Sequence, residues 1–276
     1  MLELIRNNIK FSVPTISTEG VYIKEELWHL LIRNISRKIP TLLFGETGTA
    51  KTTIALFLAQ KMGLPYHVVD MGGIPDAAEK FIGQTHLRTI NGTVNTVFKE
   101  SELFKFATTN PNGIIIFEEL TRSTAATNNF IFPMADFRRS LNNKALADGI
   151  SIIGTANIGS AYTGTNVLDK ALRDRFFMVE ITTPDKFAEI ELIATKTGVT
   201  NLQAVHMVEI AEKIRLNYEN GNIGTGVSTR KLLETATLVK DGWGLKEALL
   251  LCLLSEYQGG DEDSDRDKVK QILMAL

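Results

Sequence analysis

Short apolar runs alternate with stretches of helical spacing along the first two thirds of the chain. The runs are Thr41-Leu42-Leu43-Phe44, Tyr66-His67-Val68-Val69-Asp70, Gly113-Ile114-Ile115-Ile116-Phe117, Ser151-Ile152-Ile153-Gly154-Thr155-Ala156 and Phe176-Phe177-Met178-Val179-Glu180-Ile181. Each has the length of a buried strand, and strands that alternate with helices predict an α/β domain built on a parallel sheet. Thr53 to Met62 reads as a helix stopped at Gly63, and apolar residues at helical spacing predict a lead-in helix around Lys24 to Ile32 that packs next to the core. Leu87 to Ile90 and Thr93 to Val97 flank Asn91-Gly92, a strong hairpin signal. The pattern changes at Thr182-Thr183-Pro184-Asp185. Beyond it no strand pattern occurs, only helical stretches broken by Gly198, Gly221, Gly224, Gly242 and Gly259-Gly260. Two domains are expected: an α/β core over 1–184, including the lead-in helix, and an all-helical domain over 185–276.

Composition narrows the class of protein. Of 276 residues, 44% are hydrophobic and 22% charged, the profile of an ordinary globular protein with a sizeable core. The formal net charge of −2 and the absence of a dense Lys/Arg stripe give no sign of nucleic-acid binding. Cys252 lies in an apolar run and is expected to be a buried thiol, and a single cysteine permits no internal disulfide. The four histidines lack metal-ligand spacing. That apolar run is too short to span a bilayer, and Met1-Leu2-Glu3-Leu4-Ile5-Arg6 lacks the layout of a signal peptide, so a cytoplasmic protein without a membrane segment is expected. Asp261 to Asp265 reads as a solvated loop, with Ser264 and Asp267 spaced to cap the last helix.

The chemistry enters behind the first apolar run. Gly45-Glu46-Thr47-Gly48-Thr49-Ala50-Lys51-Thr52 follows Phe44 and opens into the helix containing Thr53. A loop free of bulky side chains between a strand and a helix turns backbone N–H groups toward one point and adds the positive end of the helix dipole. That arrangement predicts a polyphosphate site over Gly45 to Thr53, where the resemblance described below implies ATP. Lys51 would reach the β- and γ-phosphates, and the Thr52 hydroxyl would ligate Mg2+. The strict pattern has glycine where this chain has Ala50, a position expected to lie already inside the helix.

A second cluster ends the run Gly113 to Phe117, where Glu118 and Glu119 stand side by side. Adjacent like charges at a strand end repel unless a cation or a task separates them. Glu118 is the candidate to hold Mg2+, and Glu119 to orient or deprotonate the attacking water, on a strand expected beside that of the phosphate loop.

With these motifs the chain resembles an AAA+ ATPase of the MoxR branch, most closely the CbbQ/NirQ-type chaperone ATPases. The resemblance continues through Phe81-Ile82-Gly83-Gln84, Phe130 to Arg139, Gly154-Thr155-Ala156-Asn157, Ala171-Leu172-Arg173-Asp174-Arg175-Phe176 and Val227 to Leu233, covering nearly the whole chain in order. It implies a P-loop parallel-sheet core with a C-terminal helical lid. It also implies that Asn157 is sensor 1, that Arg230 is sensor 2, and that Arg175, with Arg173 as its rival, is the arginine finger serving a neighbouring subunit. A homo-oligomeric ring, a hexamer, is implied, with a protein substrate or a von Willebrand factor A-domain adaptor as partner. The family usually carries aspartate where this chain has Glu118, which lengthens the arm of the metal-holding carboxylate by about one methylene. The hairpin at Asn91-Gly92 matches an insertion of the branch that projects toward a pore or a partner. An ATP-hydrolysing motor is the expected function. A nucleic-acid motor and an ATP-binding scaffold of little turnover are the alternatives.

Overall fold

The computed structural model describes residues 5–6, 9–10, 13–90, 93–157, 169–259 and 264–275. Met1 to Leu4, the Asn91-Gly92 pair expected from the sequence to form the hairpin turn, and the acidic Asp261 to Asp263 lie outside them. These residues form two compact units. One holds Glu25–Gly45 and Lys51–Ile181, and the other holds Val13–Lys24, Glu46–Ala50 and the chain from Thr182 onward.

The first unit is built on five parallel strands: β1 (Thr41–Gly45), β2 (Tyr66–Asp70), β5 (Asn112–Glu118), β6 (Gly149–Asn157) and β7 (Phe177–Glu180). Their order across the sheet is β7-β1-β6-β5-β2. Ile114 to Phe117 are completely buried, which is how an unbroken apolar run behaves when helices cover both faces of a parallel sheet. The helices of this unit are α1 (Glu25–Ser36), α2 (Lys51–Lys61), α3 (Ala77–Phe81), α4 (Glu102–Thr109), α5 (Ala125–Ala135) and the single turn α6 (Lys170–Arg173). Amphipathic α1 buries Trp28, Leu31, Ile32 and Ile35, and the Trp28 ring meets Phe57 of α2 with centroids 5.8 Å apart. On the other side, Phe81 stacks between Phe117 and Phe130 at 6.1 and 5.3 Å. Each large side chain so buried is worth about 1.5–3 kcal/mol against exposure.

Strands β3 (Gly83–Ile90) and β4 (Thr93–Glu100) form an antiparallel ribbon, in register from Gly83↔Glu100 to Ile90↔Thr93. Directly opposed residues share a face, so Leu87, Val94 and Phe98 lie on one side of the ribbon, all three exposed.

In the second unit, α7 (Lys186–Thr197), α8 (Asn201–Glu219), α9 (Thr229–Lys240), α10 (Leu245–Leu253) and α11 (Asp265–Met274) surround Ile193, Met207, Ile214, Leu232, Leu249 and Leu273. A one-turn helix at Ile16–Glu19 packs Ile16 against Ala188 and Leu192. The segment preceding α1 therefore belongs to the helical unit. Cys252 is half-buried, which corrects the expectation of a buried thiol: Ala248, Leu249 and Leu253 occupy the core face of α10, and Cys252 flanks them. Among the described residues no helix is long and apolar enough to cross a membrane.

Candidate nucleotide site

Register brings the polar strand ends together. In the parallel ladder Asn157 pairs with Gly45, Gly154 with Phe117, and Asp70 with Glu118. The phosphate loop, Asn157 and the two glutamates thus share the C-terminal edge of one sheet, where open α/β folds bind ligands. The expectation that the carboxylate strand lies beside the loop strand is corrected. Strand β6 runs between β1 and β5 and carries Asn157 into the gap. Two strand spacings separate loop from carboxylates, roughly 10 Å across the sheet.

The loop leaves β1 at Gly45 and enters α2 at Lys51. The Thr49 hydroxyl donates to the Glu46 carbonyl at 2.8 Å and closes the loop on itself. Lys51 is only 7% exposed, and its Nζ donates to the Gly45 carbonyl at 3.2 Å, so the ammonium curls back under the loop. Thr52 is half-buried and Thr53 exposed in the first turn of α2, whose leading N–H groups have no intrahelical acceptor. Gly48 has φ +83°, and a Cβ there would stand 2.6 Å from Cβ of Ser228, so only glycine fits. A glycine cradle, a helix N-terminus and a buried lysine fit a polyphosphate.

Ala50 corrects another expectation. It precedes the helix and lies at φ +62°, the left-handed region. The methyl group there costs about 1 kcal/mol relative to glycine, which accounts for glycine in the strict motif.

Glu118 and Glu119 diverge because the backbone turns between them. Glu118 completes β5, and its carbonyl accepts the Met71 N–H at 3.0 Å. Glu119 adopts φ +56°, ψ +52°. Its N–H donates to Oγ1 of Thr155 at 3.2 Å, and its carbonyl accepts the Arg122 N–H at 2.8 Å. Absence of a side chain at Gly154 makes this turn possible: a Cβ there would stand 2.4 Å from Leu120 Cδ1. The Glu119 carboxylate is itself paired, Oε2 lying 2.7 Å from Nε of Arg122. Neither Thr155 nor Arg122 was assigned a separate role from the sequence. Available signals were a hydroxyl within an apolar run, and an arginine three residues after a glutamate.

Arg175 and Arg173 differ. Arg175 Nη1 donates to the Ala171 carbonyl at 2.6 Å, its guanidinium lies 4.8 Å from the Phe132 ring centroid, and Asp136 Oδ2 stands 4.0 Å from Nε. That last distance is an ion pair too long for a hydrogen bond, and Nε is buried without a hydrogen-bond acceptor. Arg173, at the end of α6, is exposed. Arg230 belongs to the helical unit, exposed in the first turn of α9 directly after the Ser228 cap.

A cavity of about 620 Å³ lies beside β2, away from the phosphate loop, and is lined in part by His67, Lys80 and Glu102. Burial, with Lys80 nearby, pushes the His67 imidazole below its ordinary pKa.

Comparison with known proteins agrees with this geometry. Residues 40–176 match the AAA domain family (dynein-related subfamily), and residues 189–275 match the CbbQ/NirQ/NorQ C-terminal family. A protein named as a chaperone, BssE of Thauera aromatica, is 30% identical over 265 residues, 92% of this chain and 86% of that one. NorQ of Paracoccus denitrificans is 26% identical, over 76% of this chain and 77% of its own length. The denitrification regulatory protein NirQ of Pseudomonas aeruginosa is 25% identical, over 78% and 82%. A parallel P-loop sheet with a helical C-terminal region and matches over both parts lead to one assignment: the chain belongs to the MoxR-type AAA+ ATPases, in the CbbQ/NirQ/NorQ group.

Proposed function

We propose that this protein is a cytoplasmic ATP-hydrolysing motor that assembles as a homo-oligomeric, six-membered ring and remodels or activates a partner protein. Residues 1–184, apart from the segment Val13–Lys24 that packs with the helical unit, form its nucleotide-binding core, and 185–276 its lid. The observation that carries the reading is the alignment of Gly45, Asn157 and Glu118 along one sheet edge, with Glu119 turned off the strand end by its left-handed backbone.

Bound ATP supplies the phosphoanhydride whose cleavage drives the motor. Backbone N–H groups from Glu46 to Thr53 and the Lys51 ammonium hold the phosphates, while the Thr52 hydroxyl and Glu118 hold Mg2+. Glu119 accepts a proton from the attacking water, and Asn157 orients that water. Arg230 reaches the phosphates from the lid. A neighbouring subunit contributes an arginine, and the exposure of Arg173 favours it over Arg175, which is engaged within its own chain. The ribbon of β3 and β4 offers Leu87, Val94 and Phe98 to the partner, either the substrate or a von Willebrand factor A-domain adaptor. The chaperone name carried by the relative BssE supports a protein substrate.

A second reading is an ATP-binding scaffold of low turnover. Glu118 in place of the usual aspartate and the Arg122 pairing of Glu119 favour it. Glu119→Gln separates the two. For the motor, calorimetry shows ATP binding retained while phosphate release falls about 10²-fold or more, the effect of losing a general base. Equal phosphate release in variant and wild type removes Glu119 from the role of base.

A further inference from the structure

The helical unit buries a charge for which the proposed chemistry has no use. Glu189, in the first turn of α7, is 1% exposed. A carboxylate so placed is tolerated only when paired and saturated with hydrogen bonds. Its Oε2 accepts from Nη1 of Arg215 at 2.7 Å, and its Oε1 accepts from Nη2 of Arg215 at 2.8 Å and from the Thr229 hydroxyl at 2.5 Å. The remaining donor edge of Arg215, Nε, gives its hydrogen to the Val227 carbonyl at 2.8 Å.

Two of these four bonds, from Arg215 Nε to the Val227 carbonyl and from the Thr229 hydroxyl to Glu189, tie the pair to Val227-Ser228-Thr229, the turn that opens α9 and immediately precedes Arg230. Ser228 caps that helix by accepting the Lys231 N–H. Ser228 is also the residue against which Gly48 rests, and a Cβ on Gly48 would approach Cβ of Arg230 to 3.6 Å. Stability alone does not call for such a pair, since apolar residues of similar volume commonly do as well. A bidentate guanidinium–carboxylate contact does fix orientation, because both planes must align.

We propose that Glu189, Arg215 and Thr229 are positioning residues that hold the 227–230 turn, and with it Arg230, against the tip of the phosphate loop, and so set the affinity for nucleotide. The inference rests on the assignment of ATP to the loop Gly45 to Thr53. It extends that site to residues 26 and 40 positions apart in the chain that are hydrogen-bonded to one another.

The test is calorimetry of the full chain with Mg2+ and the slowly hydrolysed analogue ATPγS. Thr229→Val keeps the shape and removes the hydroxyl, Thr229→Ala removes it with less bulk, and Thr229→Ser restores it. Val and Ala are expected to weaken binding about fivefold or more, and Ser to stay within about twofold of wild type, as loss of a hydrogen bond to a charged group requires. In an Arg230→Ala background, Thr229→Val should cost less than about twofold, because the two substitutions then act through one element. Wild-type affinity in Thr229→Val and Thr229→Ala, loss in Thr229→Ser equal to that in Val, or an undiminished Val effect beside Arg230→Ala would each overturn the proposal. Lys51→Ala serves as the control. If it abolishes binding while both hydroxyl-free variants bind normally, only the positioning role fails; if it binds normally, the site itself is misassigned and the proposal falls with it.

Discussion

The sheet unit and the helical unit treat charge in opposite ways. Along the sheet edge the polar residues stand at open strand ends, and one of them, Glu119, sits at φ +56° on backbone that L-residues rarely adopt. Among the described residues the carboxylate of Glu119 pairs with Arg122, a near neighbour more than half exposed. In the helical unit one charged pair sets a buried carboxylate, Glu189, in bidentate contact with the half-buried Arg215, while Arg230, the residue expected to meet phosphate, is exposed. On the proposed mechanism, the residue that changes partners during the cycle is held loosely and locally, and the residues proposed to keep another group in place are held from several directions around a buried carboxylate. Strain of about 1–3 kcal/mol at a positive-φ residue persists only where its surroundings over-determine it, and here Thr155, Leu120 and Gly154 do so.

The largest effect expected from this contrast concerns the arginines. Arg173→Ala should bind ATP normally and hydrolyse it about 10³ times more slowly or worse, the lower end of the range known for arginine fingers. Mixing it with Lys51→Ala should recover part of the activity, because some interfaces then combine an intact loop with an intact finger. Arg175→Ala should lower thermal stability, since it uncovers Phe132 and the Ala171 carbonyl. Recovery on mixing with Arg175→Ala instead of Arg173→Ala would reverse the assignment.

A smaller effect tests the helical unit. Asp185 caps α7, its carboxylate accepting the Ala188 N–H at 3.0 Å and the Tyr22 hydroxyl at 2.9 Å. Those two contacts, the backbone one foremost, hold its carboxyl below the ordinary carboxylate range. A carboxyl whose folded pKa is depressed stabilises the fold above its unfolded value, about 3.8, and loses that contribution as pH falls through the folded value. Asp185→Ala should therefore cost about 1 kcal/mol at neutral pH, the worth of an N-cap. Denaturant titrations of variant and wild type should converge in acid, and a gap that persists there would place the effect elsewhere.

Smallest is Ala50→Gly, which removes a Cβ from a left-handed position. A gain of about 0.5–1 kcal/mol is expected, less than the full strain because glycine also loosens the unfolded chain. A loss of stability in that variant would mean that the methyl group packs.

Much of the sheet unit was legible in the sequence because its signals are local. Five apolar runs became the five strands, and Glu118-Glu119 advertised a strand end by its charge. The order of those strands was not legible: that β6 separates the loop from the carboxylates depends on pairing across long stretches of chain, and no residue in Gly45 to Thr52 encodes it. Nor was the conformation of Ala50, since the extent of a helix N-terminus turns on one dihedral angle. The helical unit was legible as helices, yet its buried network was not. Glu189, Arg215 and Thr229 each read as an ordinary polar residue on a helix, and only the fold brings them together.

The central claim is that the loop from Gly45 to Thr53 binds ATP through a lysine buried beneath it. Lys51→Ala, titrated with ATP and Mg2+ by calorimetry, tests it most directly. Loss of a charge-assisted contact to phosphate should weaken binding by about 1.5–3 kcal/mol or more, enough to abolish measurable heat at micromolar protein. Undiminished affinity in a folded Lys51→Ala protein would contradict the account.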